Sequence, residues 1–156
     1  MKNLNFFCQP YGELGIPIHT REFASALSHE LTDLRLISIF NNNDNYQLDK
    51  NLKRLFKRPD KKYPSLMFWY PNEADIVGGY DKKIFYYIFE YTVIPKPFVE
   101  KLNEMDAVIT ASQWGVDVLK DNGVKAPCYV VPGGVNTDKF NPEGKGHRNE
   151  SFKFIH

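Results

Sequence analysis

Leu4-Asn5-Phe6-Phe7-Cys8-Gln9-Pro10-Tyr11-Gly12-Glu13-Leu14-Gly15-Ile16-Pro17 carries the reading from which the rest of the fold follows. Leu4–Cys8 is a short apolar run that ends in turn-forming residues, as a buried strand does. Pro17 suits the first turn of a helix, where a missing N–H costs nothing. His19, Phe23, Leu27 and Leu31 then recur every four residues and give that helix one face. The unit is therefore a strand, a glycine-bearing loop and a helix.

The same alternation continues down the chain. Leu34–Phe40 reads as a second strand, closed by the polar loop Asn41–Asn45. Leu48, Leu52, Leu55 and Phe56 fit helical spacing. Ser65–Tyr70 and Lys83–Tyr91 are aromatic strands bounded by prolines. Phe98, Val99 and Leu102 mark a short helix, and Ala107–Thr110 the strand after it. A further helix has its N-cap at Ser112 and its end at Gly123. Cys128–Val131 is the last clear strand, before Pro132-Gly133-Gly134. Strands alternating with helices predict a doubly wound α/β domain: a mostly parallel sheet with helices on both faces. Ligands of such sheets bind outside the carboxyl ends of the strands, so function is to be sought in the loops that follow them.

Composition narrows the classes. The 156 residues suit one domain of about 100–150 residues. With 12 Phe, 9 Tyr and 2 Trp, the bulk of the chain has the makings of a core rather than of a disordered polymer. A net charge of +1 argues against a nucleic-acid binder, which needs basic excess to neutralise phosphates. Cys8 and Cys128 are too few for a disulfide framework and lack neighbouring metal ligands, so both read as buried, reduced thiols. The opening residues hold too short an apolar run for a signal peptide, and no run approaches the ~20 residues of a membrane span. The expected setting is the cytoplasm.

Residues 106–142 add a more specific signal. Asp106-Ala-Val-Ile-Thr-Ala-Ser112-Gln-Trp114, Asn122-Gly123-Val124, Val130-Val131-Pro132-Gly133-Gly134-Val135-Asn136 and Phe140-Asn141-Pro142 together resemble the GT-B retaining glycosyltransferases of family 4. Asn136 stands where that family has aspartate in its Gly-Val-Asp stretch. The loop Tyr11–Gly15 resembles the family's glycine-rich first loop, without the usual adjacent glycine pair. The resemblance implies a Rossmann-like domain over residues 1–140, a linker over 141–150, and in 151–156 the first strand of a second, donor-binding domain. It implies a nucleotide-sugar donor as co-substrate, held mainly by that second domain, a glycan or lipid-linked glycan as acceptor, and no metal. By this reading the chain is the acceptor-side half of an enzyme and inactive alone. The alternative is a free-standing α/β binding module, with no chemistry of its own or with a partner chain to supply the donor site.

Candidate site residues follow from loop position and from the resemblance. Gly12, Glu13, Leu14 and Gly15, with His19 beyond them, either form a phosphate-binding loop at a helix start or a tight turn eased by glycine. His19 equally suits packing on its apolar stripe, and Thr20 and Arg21 share the same turn. Glu90 ends an aromatic strand where many family members have histidine. A carboxylate there can accept a hydrogen bond from an acceptor hydroxyl, act as a base, cap a turn or pair with Lys96. Glu73, Tyr91, Ser112 and Trp114 are further acceptor-cleft candidates; Glu73 with Asp75 invites a glycosidase reading as an acid pair, but with no barrel pattern reads better as loop solvation, and Ser112 reads first as a cap and Trp114 as packing. Gly133, Gly134 and Asn136 form the turn toward the linker. The basic run Lys50, Lys53, Arg54, Lys57, Arg58, Lys61 and Lys62 falls opposite the apolar residues of an expected amphipathic helix. It reads as a solvated face or as peripheral docking on an anionic membrane. Asn149-Glu150-Ser151 matches a glycosylation acceptor pattern, without meaning in a cytoplasmic chain.

Overall fold

The computed structural model describes residues 2–40 and 46–142. The expected loop 41–45, most of the expected linker, the expected strand 151–156 and Asn149 lie outside them. Six strands, β1 (Asn3–Cys8), β2 (Asp33–Ser38), β3 (Ser65–Phe68), β4 (Lys83–Tyr86), β5 (Ala107–Thr110) and β6 (Cys128–Val130), form one sheet in the order β2-β1-β3-β4-β5-β6. Every pairing is parallel. Helices α1 (Gly15–Glu30), α2 (Lys50–Lys53), α3 (Lys96–Asn103) and α4 (Gln113–Asp121), with a 3₁₀ helix over Pro71–Val77, fill the crossovers. The expected doubly wound, Rossmann-like α/β architecture is present.

Strand pleat sorts the core into two layers. Phe6 pairs with Leu36 and Leu66, and Tyr86 pairs with Phe68; these side chains pack with Ala24 of α1 and Leu52 of α2. Phe7, Met67, Phe85 and Val108 point the other way, toward the 3₁₀ helix, Leu102 of α3 and Val118 and Leu119 of α4. Asn5 is the polar exception inside β1. Its side chain, wholly buried, donates to Asp60 O at 2.8 Å and accepts from Asp60 N at 3.0 Å, holding the segment before β3 against the sheet.

Three expectations need correction. The helix expected across Leu48–Phe56 is a single turn. Past α2 the backbone is drawn onto the sheet edge: Leu36 N–H donates to Leu55 O at 2.9 Å, and Phe56 bridges Leu36. The basic run of 50–62 is therefore not one amphipathic helix. Lys57 pairs with Asp33 at 2.7 Å, and Arg35 donates to Arg58 O at 2.9 Å. The strand expected over Lys83–Tyr91 stops at Tyr86. Tyr87 N–H still bonds Ile109 O at 2.8 Å, but the neighbouring strands end there. Side chains keep alternating, with Tyr87 and Phe89 buried and Ile88 and Glu90 exposed, so the pattern outlasts the ladder. Glu73 and Asp75 sit in the 3₁₀ helix rather than in an open loop, and Asp75 pairs with Lys101 at 2.5 Å.

Smaller expectations shift or stand. The deepest residues of α1 are Pro17, Thr20 and Ala24, which flank the expected stripe. Cys8 is buried and Cys128 only partly so, and both are free thiols. Ser112 caps α4, its hydroxyl accepting from Gly115 N–H at 3.2 Å, and Gly123 ends it with φ +91°.

Candidate functional site

From β1 the chain crosses to β2 on one side and returns to β3 on the other, so the order reverses between β1 and β3. Crevices form at such a reversal, beyond the carboxyl ends of the strands. A cleft of about 490 Å³ lies there. The first turns of α1 contribute Gly15, Ile16 and His19. The end of β3 contributes Phe68, Trp69 and Tyr70. The segment after β4 contributes Ile88, Phe89, Glu90 and Tyr91.

The α1 wall is anchored by Arg21. Its guanidinium donates to Pro10 O at 2.8 Å and Gly12 O at 2.7 Å and lies 4.6 Å from the Tyr46 ring centre. Gly12 has φ +114°, in the region that favours glycine. Leu14 caps the helix without a side-chain bond, and Pro17 removes one of the amides that would face an anion. Glu13 is exposed and Leu14 is 79% exposed; with Gly12 they lie outside the cleft lining, and Gly15 alone of the loop reaches it.

His19 packs among Phe68, Tyr86 and Phe23, with ring centres 4.9, 5.8 and 5.9 Å away. Its Nε2 is buried with no hydrogen-bond partner among the described residues, and burial lowers its pKa. Beyond His19 lies the C-terminal turn: a Cβ added at Gly133 would sit 3.9 Å from His19 Cε1. Glu22 fastens this turn to α1 by accepting from Asn136 Nδ2 at 2.9 Å and from Lys139 Nζ. Gly133, Gly134 and Asn136 thus stand across His19 from the cleft rather than in its lining.

The wall after β4 is stapled by aromatic contacts. The hydroxyls of Tyr87 and Tyr91 are hydrogen-bonded to each other, and burial with this bond raises the Tyr87 pKa. Phe89 lies 5.5 Å from Tyr91 and 5.7 Å from Trp114, centre to centre. Trp114 therefore supports the cleft from behind, and Ser112 serves its helix. Asn122 closes the segment, accepting from Ile94 N–H at 2.8 Å and donating to Thr92 O at 2.8 Å. Glu90 is exposed at the cleft and has no hydrogen-bond or ion-pair partner among the described residues, Lys96 included.

Gly15, His19, Glu90 and Tyr91, far apart in sequence, meet in one cleft. Glu73 lies outside it and accepts from Asn72 at 2.9 Å. Among the described residues Glu90 is the only carboxylate of the lining, and they form no paired-acid geometry of the kind glycosidases use. The sequence reading missed Trp69 and Tyr70, which it had placed inside a strand. Pro71 directly after them was the available signal, since a strand facing a proline ends early. Asp106, part of the family-like stretch, has a structural role, accepting from Lys83 N–H at 2.8 Å, which lowers its pKa. Among the described residues no cluster of three or more His, Cys, Asp or Glu could hold a metal ion, and no helix is long and apolar enough to cross a membrane. Comparison with protein-family models, curated proteins and solved structures gave no match to this chain.

Proposed function

We propose that the chain is the acceptor-binding half of a retaining GT-B glycosyltransferase, resembling family 4, whose donor nucleotide sugar is held mainly by a further domain. The observation that carries this reading is a carboxylate without a partner among the described residues, Glu90, at an aromatic cleft beyond the carboxyl ends of the strands. Aromatic faces stack on the C–H faces of sugars, and a carboxylate accepts hydrogen bonds from hydroxyls. In this reading Glu90 orients the acceptor hydroxyl, while the proton released on transfer goes to the donor phosphate. The exposed charges of Lys53, Arg54, Lys61 and Lys62 support peripheral attraction to an anionic membrane, by charge rather than by helix insertion. The second reading, a binding module without chemistry, draws on the cleft having, among the described residues, one carboxylate and no second acid beside it.

Titration of the isotopically labelled chain by NMR tests the proposal. Glycosides are expected to shift resonances of Trp69 and Glu90, with UDP- and GDP-sugars giving little response. Glu90→Gln should weaken glycoside binding by roughly tenfold or more, the worth of a hydrogen bond to a charged group. Tight nucleotide binding in this cleft without any glycoside response would overturn it.

A further inference from the structure

Seven of the ten residues lining the cleft have apolar or aromatic side chains. Its hydrogen-bonding complement is small. Glu90 has no partner among the described residues, the Tyr91 hydroxyl is already bonded to Tyr87, and His19 Nε2 is covered. Among the described side chains, the Trp69 indole, the Tyr70 hydroxyl and the other His19 nitrogen, Nδ1, remain. A bare sugar presents hydroxyls on every side, and each one desolvated without a partner weakens binding. The lining faces solvent too: Ile88 is 40% exposed and Tyr70 42%. Solvent-facing apolar residues gathered at a cleft mark a ligand surface rather than a core.

We infer that the ligand of this cleft carries an apolar body, aryl or alkyl, and presents a single hydroxyl edge to Glu90. The inference rests on the acceptor reading above and narrows it: the acceptor is an apolar-tailed or aryl-bearing glycoside rather than a free glycan. Ile16, Phe68, Ile88 and Phe89 take the apolar body, and Trp69 and Tyr70 form the flat wall. The volume of about 490 Å³ lies within the range of sites that enclose small ligands.

The test is a set of matched dissociation constants for methyl, phenyl and octyl glucoside (the last below its micellar concentration), with phenol and 1-octanol as sugar-free arms. Phenyl or octyl glucoside should bind about tenfold or more tightly than methyl glucoside, since each buried methylene contributes about fourfold. The phenyl and octyl arms separate an aryl from an alkyl source. Ile88→Ser, at an exposed position, should shrink that gap, while Glu90→Gln should weaken all three glucosides by a common factor. Equal affinity for the three glucosides would overturn the inference and leave the acceptor reading standing. Phenol or octanol binding as tightly as its glucoside would support the apolar site and remove the sugar reading. No binding by any probe would overturn both.

Discussion

A Cβ placed on Gly115 would lie 2.5 Å from Thr110 Oγ1 and 2.9 Å from Thr110 Cγ2. Gly115, in the first turn of α4, lets the helix start press directly on the end of β5. Gly115→Ala is expected to destabilise the protein by about 1–3 kcal/mol, the usual cost of overpacking. Combined with Thr110→Ala, which removes both clashing atoms, it should cost less than the sum of the single changes. Urea unfolding of the four proteins checks this, and strict additivity would refute the close approach.

Asn122 bonds three backbone groups, those of Ile94, Thr92 and Val118. Asn122→Ala should cost about 1–3 kcal/mol and loosen the segment that carries Glu90 and Tyr91. The distinguishing readout is hydrogen exchange: the Ile94 amide should exchange faster than amides in β1. Uniform acceleration throughout the chain would mean only global destabilisation.

Asn5 is the buried polar group with most to lose. Asn5→Ala leaves the N–H and carbonyl of Asp60 without their partner and should cost roughly 2–4 kcal/mol. Asn5→Asp keeps the acceptor for Asp60 N–H but not the donor, so it should not restore stability. Thermal unfolding of both variants is the check.

Stability should fall with acid in two stages. Burial holds the His19 pKa below its ordinary 6.5, so the unfolded chain binds this proton first and stability declines as pH drops from 6.5 toward the folded value. Glu22, Asp33 and Asp106 also have lowered values, through hydrogen bonds from Lys139, Lys57 and the Lys83 amide respectively. Their contribution is full above the ordinary 4.5 and 3.8 and is lost as pH falls through the folded values. Urea midpoints at pH 8, 5.5 and 3.5 should step down twice, with His19→Gln erasing the upper step and Glu22→Gln reducing the lower. A single step in the wild type would refute the His19 assignment.

What the residues announce locally was legible without the structure. The cap at Ser112, the terminating Gly123 and the strand Ala107–Thr110 depend on neighbours in sequence, and all three are present. The tail of β4 and the segment around Leu55 and Phe56 were misread because pairing decides them. Alternation persists through Glu90 although no strand lies beside it, and Leu55 is claimed by Leu36, nineteen residues earlier in the chain. The same limit applies to the site. Loop position brought Gly15, His19, Glu90 and Tyr91 forward, and they share the cleft. It could not tell that Trp114 stands behind Phe89, that Glu73 turns aside in the 3₁₀ helix, or that Asn136 reaches back to Glu22.

The pleat of β1 sends Phe6 into one core layer and Phe7 into the other. Adding or deleting one residue in β1 would exchange the two, turning both cores inside out in a single event. The segments that carry Tyr70, Glu90 and Leu14 are under no such bond: they hang from strand ends, and a change of length placed clear of the buried Phe89 and Ile94 does not re-sort the two layers. Variation in this protein is thereby channelled. The frame tolerates substitution but not a change of length, while the cleft can be reshaped by lengthening or trimming its loops, so new ligands are open to this scaffold without a new fold.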